Sequence, residues 1–163
     1  MIRAIILYLL VCVLSSASYC QSQEVLGAWL ENPIKWTKPP AELRLKQRLG
    51  EAAILYFGPA HVFAMVYGTV IQGPQSEGLS HGDGRVVYLG TWSRNGTMLN
   101  LKFRLVSRTV RKEGETLPGP VEAEQAVLGK ASLTFEKKRF QRDPRLDRDL
   151  EDVAKGEQAR RSP

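Results

Sequence analysis

Between Arg85 and Val110, apolar and polar residues alternate on either side of Asn95-Gly96. A period of two puts successive side chains on opposite faces of a strand. Asn-Gly is the favoured loop of a two-residue hairpin, whose central positions need positive φ. With that loop, Arg94 pairs with Thr97, Trp92 faces Leu99, Gly90 faces Leu101, Tyr88 faces Phe103 and Val86 faces Leu105. One face is then apolar, and Thr91, Asn100, Lys102 and Arg104 hold the other. A slip of one residue would bury Lys102 and Arg104, so the pattern fixes which face is inside.

Two further pairs follow the same logic. Ala52–Phe57 and Val62–Ile71 flank Gly58-Pro59-Ala60-His61, with Leu55, Phe57, Phe63, Met65 and Tyr67 on one parity. Val121–Leu128 and Ala131–Lys137 flank Gly129-Lys130, with Val127, Leu133 and Phe135 as apolar anchors. Glu24–Glu31 adds a seventh strand, and Lys138–Gln141 is the candidate for an eighth. Short turns alternate with the long Gly- and Pro-containing connections 32–50, 72–84 and 112–120. In an up-and-down meander, the two kinds of connection fall at opposite ends. A meander with one apolar face removes its free edges by closing on itself. The expected fold is all-β, an antiparallel up-and-down β-barrel of seven or eight strands, of a size that side chains fill or that holds one small ligand.

Leu-Gly-x-Trp-x-x-Asn occurs twice, at Leu26–Asn32 and Leu89–Asn95. Trp92 lies just before a tight hairpin, and Trp29 lies early in a strand leaving the same end. The two indoles are expected to plug the closed end. Gly27 and Gly90, two residues away on the same face, would leave room for an indole or let strands approach. Gly27, Trp29, Gly90 and Trp92 therefore read as a structural floor.

These residues carry a resemblance. Gly27-Ala28-Trp29, Leu55-Tyr56-Phe57 with Phe63, Gly90-Thr91-Trp92 and Leu99-Asn100-Leu101 together resemble the pattern of lipocalin-like (calycin-type) small exported bacterial proteins, over Glu24–Lys137. The resemblance implies a ligand-binding barrel with an arginine packed across Trp29, Arg139 and Arg142 being the alternatives. The first tight turn departs from the family, with Ala60-His61 in place of Asp-Gly.

The chain ends differ from this middle. Met1-Ile2-Arg3, the apolar run Ala4–Leu14 and the small polar Ser15–Cys20 read as a signal peptide. The run is shorter than the ~20 residues of a spanning helix. Residues 1–20 are thus assigned to export, with cleavage between Ala17 and Cys20, and the mature protein to the periplasm or outside the cell. The barrel is assigned to residues 21–142. Glu42–Leu49 fits either a short helix or a strand. Asp143-Pro144 is an N-cap followed by proline at the first helical position, and Leu146, Leu150 and Val153 recur at helical spacing. An amphipathic helix is expected over 143–156, against the barrel wall, with 157–163 as a disordered tail.

The net charge of +6 suits an acidic partner. The excess sits in Lys137-Lys138-Arg139 and Arg142, without the interleaved aromatics that single-strand binding uses, so nucleic acid is not an expected partner. His61 and His81 fall in loops at opposite ends, so neither a shared metal site nor a catalytic dyad is expected, and no cofactor is implied. Ser80-His81-Gly82-Asp83-Gly84 reads as a turn, because triads are assembled in space and not along the chain. The reading is non-enzymatic. Along the strand from Thr97 the inward series runs Leu99, Leu101, Phe103, Leu105, Ser107, Thr109, Arg111, from apolar to polar. A mouth lined by Tyr67, Tyr88, Phe103, Ser107 and Thr109, with Arg108 and Arg111 at its rim, would take a small apolar or amphipathic acidic molecule. The alternative is a packed barrel that acts on a macromolecule through its loops and holds no small ligand.

Overall fold

The structure is a computed structural model that describes residues 24–37, 48–72, 77–79, 85–110, 113–115 and 119–159. The segment expected to be a signal peptide (1–20), most of the Glu42–Leu49 alternatives, Arg111 and the last four residues lie outside them. The strands are β1 (Gly27–Glu31), β2 (Lys35–Thr37), β3 (Arg48–Phe57), β4 (Val62–Gln72), β5 (Glu77–Leu79), β6 (Val86–Asn95), β7 (Met98–Val110), β8 (Glu113–Glu115), β9 (Glu122–Leu128), β10 (Leu133–Phe135) and β11 (Lys138–Arg142). Eight of them close into an antiparallel up-and-down barrel in the order β1-β3-β4-β6-β7-β9-β10-β11, with β11 pairing back onto β1. The short β2, β5 and β8 extend the walls at β3, β4 and β7. The eighth barrel strand is the Lys138 segment, seated between β10 and β1.

The tight turns at Gly58–His61, Gly96-Thr97 and Gly129–Ser132 share one end. The long connections leave the other, together with the Glu136-Lys137 turn. That turn has positive φ at both central residues (49° and 63°), the type I′ signature, built here without Asn or Gly. It ends the strand that the sequence pattern carried to Lys137. Ala60 and His61 are likewise left-handed (53° and 61°), so the departure from Asp-Gly keeps the backbone conformation and loses the residues that favour it.

The central hairpin differs in register from the expected one. Asn95 pairs with Met98 and Trp92 with Leu101, so the loop is Gly96-Thr97. Gly96 alone carries positive φ (60°), which fits a type II′ turn with Gly first. The shift is two positions, so the faces are unchanged: Trp92, Leu99, Leu101 and Phe103 remain inside. A bulge then resets the alternation. Tyr88 pairs with Leu105 but Val87 pairs with Ser107, so the inward series does not continue from Leu105 to Arg111. In the third pair, Val127 is 45% exposed, and the inward anchors are Ala126 and Leu128 beside Leu133 and Phe135.

The interior is filled by Val25, Trp29, Leu55, Phe57, Phe63, Met65, Trp92, Phe103, Phe135, Phe140 and their neighbours, all buried. Phe57 meets Trp92 edge-on at 5.6 Å and Phe63 at 5.4 Å. Trp29 donates Nε1–H to Val25 O (2.8 Å) and Trp92 donates to Gly58 O (3.2 Å), so both buried indoles have a partner at the tight-turn end.

The two glycines of the repeat serve different neighbours. A Cβ on Gly90 would overlap the Lys102 carbonyl and Phe103 Cα on the next strand, so Gly90 permits close strand approach. Gly27 has φ of 104°, and a Cβ there would strike the Arg142 guanidinium. The room it leaves is for that group and not for an indole. Arg142 stands opposite Trp29 in register, which selects it over the exposed Arg139. It donates Nε–H to Leu26 O (2.9 Å) and Nη1–H to Ala28 O (3.1 Å), and holds Asp147 through both carboxylate oxygens (2.8 and 2.6 Å). Asp147 Oδ1 also accepts Ala28 N–H (2.7 Å).

Asp143 caps the C-terminal segment by accepting Arg145 N–H, a 3₁₀ turn spans Pro144–Leu146, and helix α1 runs Asp147–Ala159. It continues past Gly156, with Glu157 buried, so the helix takes in part of the tail expected to be disordered. Leu146, Leu150, Val153 and Ala154 pack on the outward residues Ala28, Ile54, Ala64, Val66, Val87 and Val106. This explains why β3 and β4 are apolar on both parities: both faces are covered.

Candidate functional site

At the open end the inner wall changes from buried to half-buried at Tyr67 on β4 and Tyr88 on β6. The two rings meet edge-on at 6.2 Å, and Tyr88 meets Phe103 at 5.8 Å. Phe103 in turn contacts Phe135 at 6.3 Å. These aromatics cap the filled interior and form the floor of the mouth. The structure therefore brings together three of the expected ligand residues, Tyr67, Tyr88 and Phe103. It does not add Ser107, which is buried opposite Val87, whose side chain belongs to the layer under α1. Arg108 is exposed opposite Val86, which has the parity of Tyr88, so the bulge sets Arg108 on the face of the mouth. Thr109 pairs with Gly114 in β8, and Arg111 lies outside the described residues.

The polar groups at this floor were not expected. Glu31 follows Trp29 by two and shares its face. Its Oε2 accepts Ala53 N–H (3.0 Å), an amide that β1 leaves unpaired after Leu30, and it binds Lys138 Nζ (3.0 Å). The Lys138 ammonium lies 5.8 Å from the centre of the Tyr67 ring, within reach of a cation–π contact. The Tyr67 hydroxyl makes a long hydrogen bond to Glu136 Oε2 (3.4 Å). Burial, reinforced by the Glu136 charge, pushes the Tyr67 phenol up to about 12, so it is a neutral donor at ordinary pH.

More carboxylates share this face. Glu51 has the parity of Ala53 and Leu55 and is exposed. Glu122 and Glu124 lie opposite Phe103 and Leu101, on their side of the sheet, and are exposed. β10 pairs with β9 only at Val127 and Leu128, so among the described residues no strand covers β9 between Glu122 and Gln125 on that edge. The signal in the sequence was the inward parity of Glu31, Glu122 and Glu124, which reads as ordinary strand-end wetting without the pairing partners.

A concavity of about 350 Å³ lies on the outer wall, lined by Leu30, Ile34, Trp36, Arg142, Pro144 and Arg145 among others. Its cations are engaged: Arg142 holds Asp147, and Arg145 holds Asp143 through two bonds (2.9 and 2.8 Å). That pairing keeps the Asp143 carboxyl below its usual range. The groove belongs to the junction of barrel and helix.

Among the described residues, no group of three or more His, Cys, Asp or Glu side chains is arranged to hold a metal ion, and no helix is long and apolar enough to cross a membrane. No family model, curated protein or solved structure matches this chain. Among the described residues the chain is a closed eight-stranded antiparallel β-barrel with one C-terminal helix.

Proposed function

We propose that this chain is an exported, lipocalin-like binding protein that takes a small ligand group at the mouth of its barrel, on the Tyr67–Tyr88 floor, and carries out no chemistry on it. The observation that carries this reading is the depth of the floor. Below Tyr67 and Tyr88 the interior is occupied by Phe63, Met65, Leu101 and Phe57, all buried. Binding sites join apolar surface to a few placed polar groups, and the floor offers the aromatic surface of Tyr67, Tyr88 and Phe103 beside Glu31. The Gly27–Trp29 strand start with Arg142 across it supports the lipocalin-like part of the proposal.

The same packing favours a revision of ligand type. A long acyl tail finds the interior filled, and the described inner rim carries Glu31, Glu51, Glu122, Glu124 and Glu136 against the cations Lys138 and Arg108. The packed interior also favours the second reading, a barrel that acts on a macromolecule through its open end with no small ligand.

An NMR titration of the full mature protein with short ring-bearing probes of positive, neutral and negative charge separates the two. Saturable shifts at Tyr67 and Tyr88 support ligand binding at the mouth. No saturable shift with any probe leaves the interaction module. Export is tested by the N-terminal sequence of the protein recovered from outside the cytoplasm. A start between Ser18 and Gln21 without an acyl chain is expected, and a lipid on Cys20 would make it a membrane-anchored lipoprotein.

A further inference from the structure

We infer that the group taken at this mouth is a cation, a protonated primary amine on an apolar or aromatic stem, and that Lys138 is its built-in stand-in. The inference rests on the mouth-binding reading and names the chemistry of its ligand. An ammonium is already seated there. Lys138 Nζ bridges the Glu31 carboxylate at 3.0 Å and the Tyr67 ring at 5.8 Å, the two partners that recognise an amine elsewhere in proteins.

Both partners are held independently of Lys138. Glu31 is fixed by the Ala53 amide at 3.0 Å, and Tyr67 by the edge of Tyr88 and the Glu136 carboxylate. The Glu31 side chain is 22% exposed and the Lys138 side chain 43%, so the ammonium is the half of the pair more open to water. Lys138 begins β11, directly after the Glu136-Lys137 turn, where its stem can swing to solvent without disturbing a ladder partner.

Carboxylates outnumber cations on the rest of the described inner rim, where Arg108, opposite Val86, is the cation on the face of Tyr88. Glu122 lies beside Phe103, which touches Tyr88, and Glu136 lies at the Tyr67 hydroxyl. An incoming amine would take the Glu31–Tyr67 position, lay its stem against Tyr88 and Phe103, and release the Lys138 ammonium to water. The chain's own lysine then acts as a tethered competitor that sets a threshold for ligand affinity.

The experiment titrates the full mature protein with phenethylammonium, 2-phenylethanol and phenylacetate, following Tyr67 and Tyr88 resonances by NMR. It uses wild type, Lys138→Gln, Lys138→Gln with Glu31→Gln, and Tyr67→Leu. Lys138→Gln should bind phenethylammonium at least tenfold more tightly than wild type, with both isosteres at least tenfold weaker. Adding Glu31→Gln should abolish the gain. Tyr67→Leu alone should weaken amine binding about tenfold, which keeps the test intact if Lys138→Gln disturbs the fold. Equal binding of phenylacetate, or no change on removing Lys138, would overturn the cation assignment while leaving the mouth as a site. No probe shifting either tyrosine would overturn both.

Discussion

Replacing Arg142 with alanine tests how the helix is joined to the barrel. The guanidinium makes four hydrogen bonds of 2.6–3.1 Å, two to the Leu26 and Ala28 carbonyls and two to Asp147. Removal takes the side-chain donor from the Leu26 carbonyl and leaves Asp147 without its counter-charge, although the Ala28 carbonyl keeps the Asp143 amide (2.9 Å) and Asp147 keeps the Ala28 amide. A hydrogen bond to a charged group contributes roughly 1.5–3 kcal/mol, and breaking a fully buried pair costs about 3–5 kcal/mol. Both side chains here are about one-third exposed, at 31% and 37%, so water replaces part of what is lost. The expected destabilisation is about 2–3 kcal/mol, between the surface and buried limits. Arg142→Lys should recover less than half of it, because an ammonium lacks the planar fork that reaches both carbonyls and the carboxylate together. Urea unfolding followed by tryptophan fluorescence and far-UV circular dichroism measures both. In a cycle with Asp147→Ala, the pair should show a coupling of about 1–2 kcal/mol. A loss below ~0.5 kcal/mol for Arg142→Ala, the level of an ordinary surface site, refutes the clamp.

Other outcomes follow from single features. Trp92→Ala should destabilise by about 3–5 kcal/mol, since it empties the floor beside Phe57, and a loss under ~0.5 kcal/mol in denaturation would place Trp92 at the surface. Glu136→Asn with Lys137→Gly should raise stability by about 1 kcal/mol. A left-handed L-residue costs roughly 1–2 kcal/mol, and glycine gives back part of the gain through unfolded-state entropy; a lowered unfolding midpoint would refute the positive φ values at that turn. In alkaline titration at 295 nm, the phenol lost in Tyr67→Phe should be one that ionises near pH 12. Its folded pKa is raised, so its contribution is full below pH ~10 and is lost as pH rises toward 12. An ordinary titration near pH 10 would refute the enclosure of Tyr67.

The faces of β6 and β7 were legible because parity belongs to each strand by itself. Trp92, Leu99, Leu101 and Phe103 stay inside although the pairing moved by two positions. The register was not legible, because both Asn95-Gly96 and Gly96-Thr97 are acceptable two-residue loops, and only the backbone shows that Gly96 takes the first central position. Leu105 and Val106 are both apolar, so nothing in the pattern marks the bulge that turns Ser107 away from the mouth. The Glu136-Lys137 turn contains no turn former, so the strand before it was carried to Lys137, while Lys138–Arg142, with only Phe140 as an apolar anchor, stood as no more than a candidate for the last strand. At the mouth, the aromatics showed through parity. The carboxylates did not, because Glu31 becomes meaningful only once Ala53 and Lys138 are beside it.

The barrel is filled to the level of Tyr67 and Tyr88, which confines the proposed binding to its mouth. The most direct test is an equilibrium titration of the Trp36→Phe protein with a long-chain fatty acid carrying a fluorophore at the end of its tail, following energy transfer from the two remaining indoles, Trp29 and Trp92 at the floor. No saturable one-to-one binding with transfer from those indoles is expected, because Phe57, Phe63 and Phe103 occupy the path. Stoichiometric binding that brings the fluorophore to the floor and saturates the transfer would contradict it, and would mean the interior opens to hold a ligand.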